Sequence, residues 1–469
     1  MSSPAADAND FRSPHVALLP SSGAGHITPF LRLAASLLSQ NCRVTLITSH
    51  PIVTQAESNL ISSFLSSFPQ VTEKQFHILP LDPASAASSK DPFFLQWESI
   101  RRSLHLLSSI LSSLSPPLDA MVSDITLISS TITITKPLKI PNYVLFPSSA
   151  KMFSLASYYS VLSESLSDST KISEIKIPGI GAIPRSSIPP LLLVPESLFA
   201  TMFKSNSDIL RQFDGIIINT FDQLESKTLK ALKTGEVAGG LPPLFNVGLI
   251  HHDFESKLGF GGEGAEAVSK WLDAQLAKSV VYVSFGSRTA LSREQIRELG
   301  EGLVKSGYPF LWVMKDKAVD KEDGEKLEGI LGAEMMGEVK EKGIVVKEWV
   351  DQVDVLRHNS VGGFVSHCGW NSVVEAAWVG VPVLAWPLHG DQRINGEVVE
   401  GSGLGFVGGN WGWIGEVLVK GEEIGRRIKD MMEDEGLRLR AGEIRDEVRK
   451  VVGETGDDGL KQLIEKWRA

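Results

Sequence analysis

Cysteine is nearly absent from this 469-residue chain, which has two, Cys42 and Cys368. No disulfide framework is implied, and a reducing compartment fits. An excess of positive charge is absent as well. Lys and Arg number 46 against 56 Asp and Glu, a formal net charge of −10. That argues against a nucleic-acid footprint, favours solubility and says little about a small substrate. No apolar run approaches the ~18 residues of a membrane span. The opening MSSPAADANDFRSP is polar, has no apolar signal core and reads as a loose arm. With no anchor in the amphipathic ending GLKQLIEKWRA, the expectation is a cytoplasmic protein, and a monomer. Two nucleotide signatures are also missing. There is no GxxxxGK[ST] loop, and none of the β-rich runs leads directly into a GxGxxG (the two matches, 259–264 and 403–408, lie elsewhere), which argues against a nicotinamide-dependent oxidoreductase.

What is present is a chain too long for one core. Short β-rich runs alternate with longer helical patterns. The first set is HVALLP (15–20), RVTLITS (43–49), FHILPL (76–81), DAMVSD (119–124), NYVLFP (142–147) and GIIINT (215–220). Residues 249–266 are polar and glycine-rich and read as a linker. The alternation then restarts with VVYVSFGS (280–287), PFLWVM (309–314), GIVVKEW (343–349), GGFVSHCG (362–369) and VPVLAWP (381–387). The reading is α/β: two doubly wound domains, 1–248 and 267–456, facing a cleft, with a last helix in 457–469. The charged stretch 315–329 reads as a solvated excursion. Ligands bind at the carboxyl ends of parallel strands. SSGAGH, Asp124, SFGS and SHCGWNS all fall at such ends, so they are expected to line one cleft.

In SHCGWNSVVEAAWVG (366–380) a strand leads through Gly369 into a helix. His367, Asn371 and Ser372 would present donors where the free N–H groups and the helix dipole favour an anion, which describes a phosphate or diphosphate site. A capped helix without ligand is the plainer alternative. Trp349, after a strand, could stack on a nucleobase or simply belong to the core. Asp391 and Gln392, in WPLHGDQRIN, could hold vicinal hydroxyls or cap a helix.

Taken together these pieces are specific. From Trp349 to Gln392 the chain resembles, position by position, the plant secondary-product glycosyltransferase box, the donor-binding motif of plant family-1 UDP-glycosyltransferases. The matching residues are Trp349, Gln352, His358, His367 to Ser372, Glu375, Gly380-Val381-Pro382, Trp386-Pro387 and Asp391-Gln392. The resemblance implies the GT-B glycosyltransferase fold, with the last helix packing back on the N-terminal domain. By position it implies Trp349 stacked on uracil, Val350 offering its backbone to the base, and Gln352 and Glu375 at the ribose. Ser287, His367, Gly369, Asn371 and Ser372 would surround the diphosphate. Trp370, Asp391, Gln392 and Ser148 would contact the sugar. A terminal Gln in the box goes with glucose, so Gln392 points to UDP-glucose. The family works without a metal or a separate cofactor, and no Asp/His metal cluster is visible.

The lone histidine of SSGAGHITPF is then the expected base. His26 follows Gly23-Ala24-Gly25 at the start of a helix, whose positive end disfavours imidazolium and keeps the imidazole able to accept a proton. Asp124, at the end of the fourth strand, could bind the other ring nitrogen and fix the tautomer, or could cap a helix. The resemblance assigns the same dyad, His26 as base and Asp124 as its partner.

For the acceptor, the N-terminal half offers Phe93, Phe94, Trp97, Phe146, Phe153, Tyr158, Tyr159, Phe199 and Phe203, which suit a flat phenolic guest. Phe94 and Trp97 are the candidates singled out. SSGAGHITPFLRLA, DPFFLQWESIRRS, VSFGSRTALSREQIRELGEGL and HGDQRIN are similar to the flavonoid and polyphenol C-glycosyltransferase branch. That implies glucose placed, with inversion, on a ring carbon of a dihydrochalcone, 2-hydroxyflavanone, benzophenone or acylphloroglucinol. The dyad alone does not separate this from O-glucosylation of a flavonoid. Where the branch commonly has a bulkier apolar residue, this chain has Ala24, expected to widen the site beside His26.

Overall fold

The computed structural model describes residues 13–81, 92–167, 173–248, 263–286, 289–315, 327–347, 350–454 and 458–468. The opening arm up to residue 12, the stretch 249–262 read as linker, most of the charged excursion (316–326), Ser287 and Trp349 lie outside these described residues.

Among the described residues, fifteen strands form two parallel sheets and a hairpin. In chain order they are β1 His15–Leu19, β2 Arg43–His50, β3 Thr72–His77, β4 Ala120–Asp124, β5 Asn142–Phe146, β6 Glu174–Ile177, β7 Gly181–Pro184, β8 Gly215–Ile218 and β9 Leu244–Asn246, then β10 Val280–Ser284, β11 Phe310–Val313, β12 Gly343–Val346, β13 Val361–Ser366, β14 Val383–Ala385 and β15 Gly405–Val407. The first sheet runs β3-β2-β1-β4-β5-β8-β9 and the second β12-β11-β10-β13-β14-β15, while β6 and β7 form the antiparallel hairpin. Each sheet is two Rossmann-like halves wound in opposite directions from a central strand. The order reverses between β1 and β4 in the first and between β10 and β13 in the second. At such a reversal the two crossover connections leave to opposite faces and open a crevice at the carboxyl ends of the strands.

Central strands buried on both faces need continuous apolar runs, and β1, β4, β5, β8, β10 and β13 are buried along their whole length. The edge strand β3 departs from the expected run at 76–81. It forms four residues earlier, over TEKQFH, with Phe76 as its one buried side chain. An edge strand packs on one neighbour only, so backbone pairing with β2, not apolar content, sets its register.

The helices that matter for the site are α1 Ala24–Ser39, α2 Pro92–Ser103, α3 Ala150–Ser167, α4 Leu198–Ile209, α5 Asp222–Lys233, α6 Glu263–Asp273, α7 Trp370–Val379, α8 Gln392–Ser402, α9 Glu435–Glu454 and α10 Asp458–Arg468. Helix α6 begins inside the stretch read as linker. Helix α10 follows the second domain in the chain but packs on the first. Its Leu460, Leu463, Ile464 and Trp467 join the cluster that contains Val44, Tyr143 and Phe245. The Trp467 ring meets Tyr143 edge-on at 5.4 Å.

The two domains touch through specific polar contacts. Trp370 Nε1 donates to the Asn219 carbonyl at 2.6 Å, Lys151 Nζ to Glu397 at 2.6 Å and Arg393 to the Ser186 carbonyl at 2.8 Å. Helix α8 thereby lies against α3 and the end of the hairpin. The α3 N-terminus is itself held by the buried Glu225, whose carboxylate accepts from the Ala150 and Lys151 amides at 2.8 and 2.9 Å.

Candidate active site

The two reversal points face each other across a cavity of about 460 Å³. Its walls come largely from the loops after β1, β4, β5, β10, β11, β12, β13 and β14, the loops that the strand–helix alternation places on one side of each sheet.

On the first domain, the turn after β1 enters α1 through Gly23, so His26 stands in the first helical turn with its amide bonded to the Gly23 carbonyl. Its Nδ1 lies 2.8 Å from Asp124 Oδ2. The imidazole is 30% exposed and faces the cavity, whereas the carboxylate is fully buried. Asp124 performs both of the roles its position allows. Oδ1 accepts from the Thr126 amide at 2.9 Å and its hydroxyl at 2.7 Å, capping the short turn that follows, and Oδ2 holds the histidine. Both carboxylate oxygens are therefore fixed, and the ring orientation with them. A carboxylate on one imidazole nitrogen raises the other's capacity to take a proton.

On the second domain, α7 starts at Gly369 with no side-chain cap and no acidic residue in its first turn. Its leading N–H groups and dipole point at the cavity, as an anion site requires. His367 sits against this end, between two glycines. A Cβ on Gly369 would lie 2.4 Å from His367 Nε2, and one on Gly286, whose φ is +75°, 2.7 Å from it. Burial, helped by the neighbouring His389 and opposed by the Ser284 backbone, pushes the His367 pKa down to about 3. His367 is thus a neutral donor and acceptor at physiological pH. Asn371 Oδ1 is buried without a hydrogen-bond partner among the described residues, and Asn371 lines the cavity.

Farther along, Gln352 Nε2 donates to Ser372 Oγ at 2.9 Å and to Glu375 Oε2 at 2.6 Å. The two residues read as ribose contacts are neighbours. Val350 lines the same end. At the other end Asp391 Oδ2 accepts from Asn395 Nδ2 at 2.9 Å and from the hydroxyl of Ser148, reaching over from the first domain. Gln392 folds its carboxamide back on the preceding turn. Its Oε1 accepts from the Leu388 and His389 amides at 2.9 and 3.0 Å.

The structure brings His26, Ala24, Ser148, Val350, Gln352, His367, Gly369, Trp370, Asn371, Ser372, Glu375, Asp391 and Gln392 to the one cavity wall, with Asp124 directly behind His26. Trp370 gives its indole N–H to Asn219, so its backbone is what it offers at the helix start. Phe94 and Trp97, on α2, stand one layer behind the wall. Trp97 Nε1 bonds the Thr126 carbonyl at 2.9 Å and Phe94 packs on its ring. The aromatic side of the wall belongs instead to Phe146, Phe199 and Phe203, with Ile125, Met152 and Pro189. Both phenylalanines of α4 lie one turn apart on its buried face, and packing, not their number in the sequence, selects them.

Sequence reasoning also passed over Arg32, Thr289, His389 and Asn395. Thr289 Oγ1 meets His389 Nε2 at 2.7 Å. Asn395, fully buried, joins the Cys368 carbonyl (3.0 Å) to Asp391. Its carbonyl partner Cys368 has a φ of +62°, rare for a side chain with a Cβ. His389 and Asn395 lie inside the WPLHGDQRIN motif, so proximity to Asp391 was the available signal. Among the described residues no group of three or more His, Cys, Asp or Glu side chains is placed to hold a metal ion, and no helix is long and apolar enough to cross a membrane.

The family model described as UDP-glucoronosyl and UDP-glucosyl transferase matches residues 263–413. UDP-glycosyltransferase 708G2 of Citrus unshiu is 52% identical, over 98% of this chain and 98% of its own length. UDP-glycosyltransferase CGT of Oryza sativa subsp. japonica is 45% identical over 95% and 94%. Among solved structures, LpCGTa in complex with UDP superposes with a TM-score of 0.85 at 45% identity, covering 98% of this chain and all of that one. TcCGT1 in complex with UDP gives 0.82 at 27% identity, over 97% and 99%.

Proposed function

Because the chain belongs to the plant family-1 UDP-glycosyltransferases and is most similar to their C-glycosyltransferase branch, we propose that it transfers glucose from UDP-glucose to a ring carbon of a polyhydroxylated aromatic acceptor, with inversion. The observation that carries the mechanism is the His26–Asp124 contact of 2.8 Å at the cavity wall, opposite the uncapped start of α7.

UDP lies along the second domain, its ribose at Gln352 and Glu375 and its diphosphate at the α7 N-terminus with His367, Asn371 and Ser372. The hexose lies toward Asp391 and Gln392, under Ser148. The acceptor ring occupies the space beside His26 lined by Phe146, Phe199 and Phe203. With Nδ1 bound to Asp124, Nε2 of His26 takes the phenolic proton, and the imidazolium that forms is stabilised by the buried carboxylate. Phenoxide density reaches the ortho carbon, which attacks the anomeric carbon from the face opposite the leaving group. The C–C bond forms as the anomeric C–O bond to UDP breaks, the electron pair leaves with the diphosphate, and the helix N–H groups stabilise that charge. Loss of the proton on the attacked ring carbon then restores the aromatic ring. The cavity holds both substrates in line, which supplies the orientation advantage. Ala24 leaves room beside His26, which favours broad or already glycosylated acceptors.

The same dyad serves O-glucosylation if the pocket aims oxygen at the anomeric carbon. Names of relatives as CGT and the structural likeness to LpCGTa and TcCGT1 favour carbon. Incubation with UDP-glucose and phloretin followed by acid hydrolysis separates the two. A glucoside that survives hot acid carries a carbon–carbon bond. One that returns phloretin makes the protein an O-glucosyltransferase.

A further inference from the structure

Helix α1 buries an apolar stripe, and a cation stands in it. Phe30, Leu31, Leu33 and Ala34 are at 0% exposure, and Arg32 beside them is at 1%. A guanidinium taken out of water must meet an anion. A carboxylate partner lies 343 residues away, on α7 of the other domain, where Arg32 Nη2 donates to Glu375 Oε1 at 2.5 Å. The other carboxylate oxygen, Oε2, accepts from Gln352 at 2.6 Å. Arg32 itself reaches the cavity wall.

We propose that Arg32 is a positioning residue of the donor site, through which the acceptor-side helix sets the carboxylate that receives the nucleotide's ribose. This rests on the UDP-sugar reading of the cleft. A ribose diol can donate to Glu375 while that carboxylate is turned toward the cavity. The guanidinium, a rigid planar donor on Oε1, limits rotation of the carboxylate and so holds it there. Because the cation comes from the first domain, the ribose site is complete only when the domains are together. His26 stands six residues earlier on the same helix, about 9 Å along its axis. One helix therefore carries the proposed base at one point and grips the donor pocket at another.

The experiment compares wild type, R32M, R32K, E375Q and R32M/E375Q, with steady-state kinetics against each substrate and calorimetric titration with UDP. R32M is expected to raise the UDP-glucose KM and the UDP Kd by about tenfold or more, with the acceptor KM and kcat at saturating donor within about threefold. R32K keeps the charge and loses the planar fork, and is expected to raise both by about threefold. In the E375Q background the charge that Arg32 serves is gone, so adding R32M costs at most about twofold. Should R32M fail to fold, R32K and R32K/E375Q carry the same comparison. Unchanged KM and Kd in R32M, or equal fold-losses with and without E375Q, would overturn the proposal. A wild-type protein that binds no UDP would instead sink the donor-site reading itself and this inference with it, a result no variant can imitate.

Discussion

Exchanging Asp124 for Asn alters one atom of the dyad and leaves its neighbours in place. Oδ1 of the carboxylate accepts from the Thr126 amide at 2.9 Å and its hydroxyl at 2.7 Å, and a carboxamide oxygen can do the same. That places Nδ2 of the new side chain where Oδ2 was, 2.8 Å from His26 Nδ1. An NH₂ group only donates. Nδ1 must then accept, which drives the ring proton to Nε2, the nitrogen proposed to receive the phenol's proton. The imidazolium also loses a hydrogen bond to a charged group, worth about 1.5–3 kcal/mol or roughly 10- to 150-fold. With the wrong tautomer added, kcat in D124N is expected to fall by about 10²- to 10⁴-fold. Since Asp124 lies behind the acceptor side, KM for UDP-glucose should stay within about twofold. Initial rates of UDP release with UDP-glucose and phloretin measure both. D124A is the informative companion. It leaves the imidazole free to choose its tautomer, so it should retain more kcat than D124N while melting lower, because the Thr126 cap is lost. A D124N enzyme within about threefold of wild-type kcat would refute this account of the dyad.

Four further outcomes follow from the geometry. In G369A the new Cβ falls 2.4 Å from His367 Nε2, so the ring must move from the proposed diphosphate end; KM for UDP-glucose should rise at least tenfold, with acceptor KM little changed in the same assay. His367 has its pKa lowered from 6.5 to about 3, so the unfolded chain binds the extra proton first as pH falls. The stability this histidine contributes is complete above pH 6.5 and is lost toward pH 3, and the melting temperature of H367N should decline less steeply across that window than that of wild type. A24M restores bulk beside His26, and a panel of phenolic acceptors should show a narrower range; an unchanged range would remove Ala24 from the specificity argument. W467A deletes a 6%-exposed indole from the first domain's core and should cost about 3–5 kcal/mol in denaturant melts.

The sequence makes the architecture legible because central parallel strands are buried on both faces and read as short β-rich apolar runs such as HVALL and VVYVS. Which loops meet is equally legible, since the carboxyl ends of alternating strands share a side. Edges are not. TEKQFH pairs by its backbone and carries almost no apolar signal, and the three-residue β9 and β15 fall below any periodicity. At the site, the described residues of the local motif line one cavity, while the Arg32–Glu375 join across the cleft was missed. Arg32 had a readable sign, a charge in the apolar stripe of FLRLAASLL, but its partner lies on another domain. Phe94 and Trp97 show the opposite limit. Aromatic content says that a flat guest would be welcome, while packing alone decides that Trp97 buttresses Thr126 and that Phe199 and Phe203 face the cavity.

The return of α10 to the first domain bears on how the molecule is born. Leu460, Leu463, Ile464 and Trp467 complete a core whose other members begin at Val16. As the chain leaves the ribosome, β1 to β9 can pair, but the apolar face beside Tyr143 and Phe245 lacks its α10 cover until residues 458–468 appear. Domains usually fold in order of synthesis. Here the second domain has all of its strands and helices before the first has its final one, so the earlier half waits on the later, and a chain cut short before residue 458 would release two nearly finished domains with one sticky face between them.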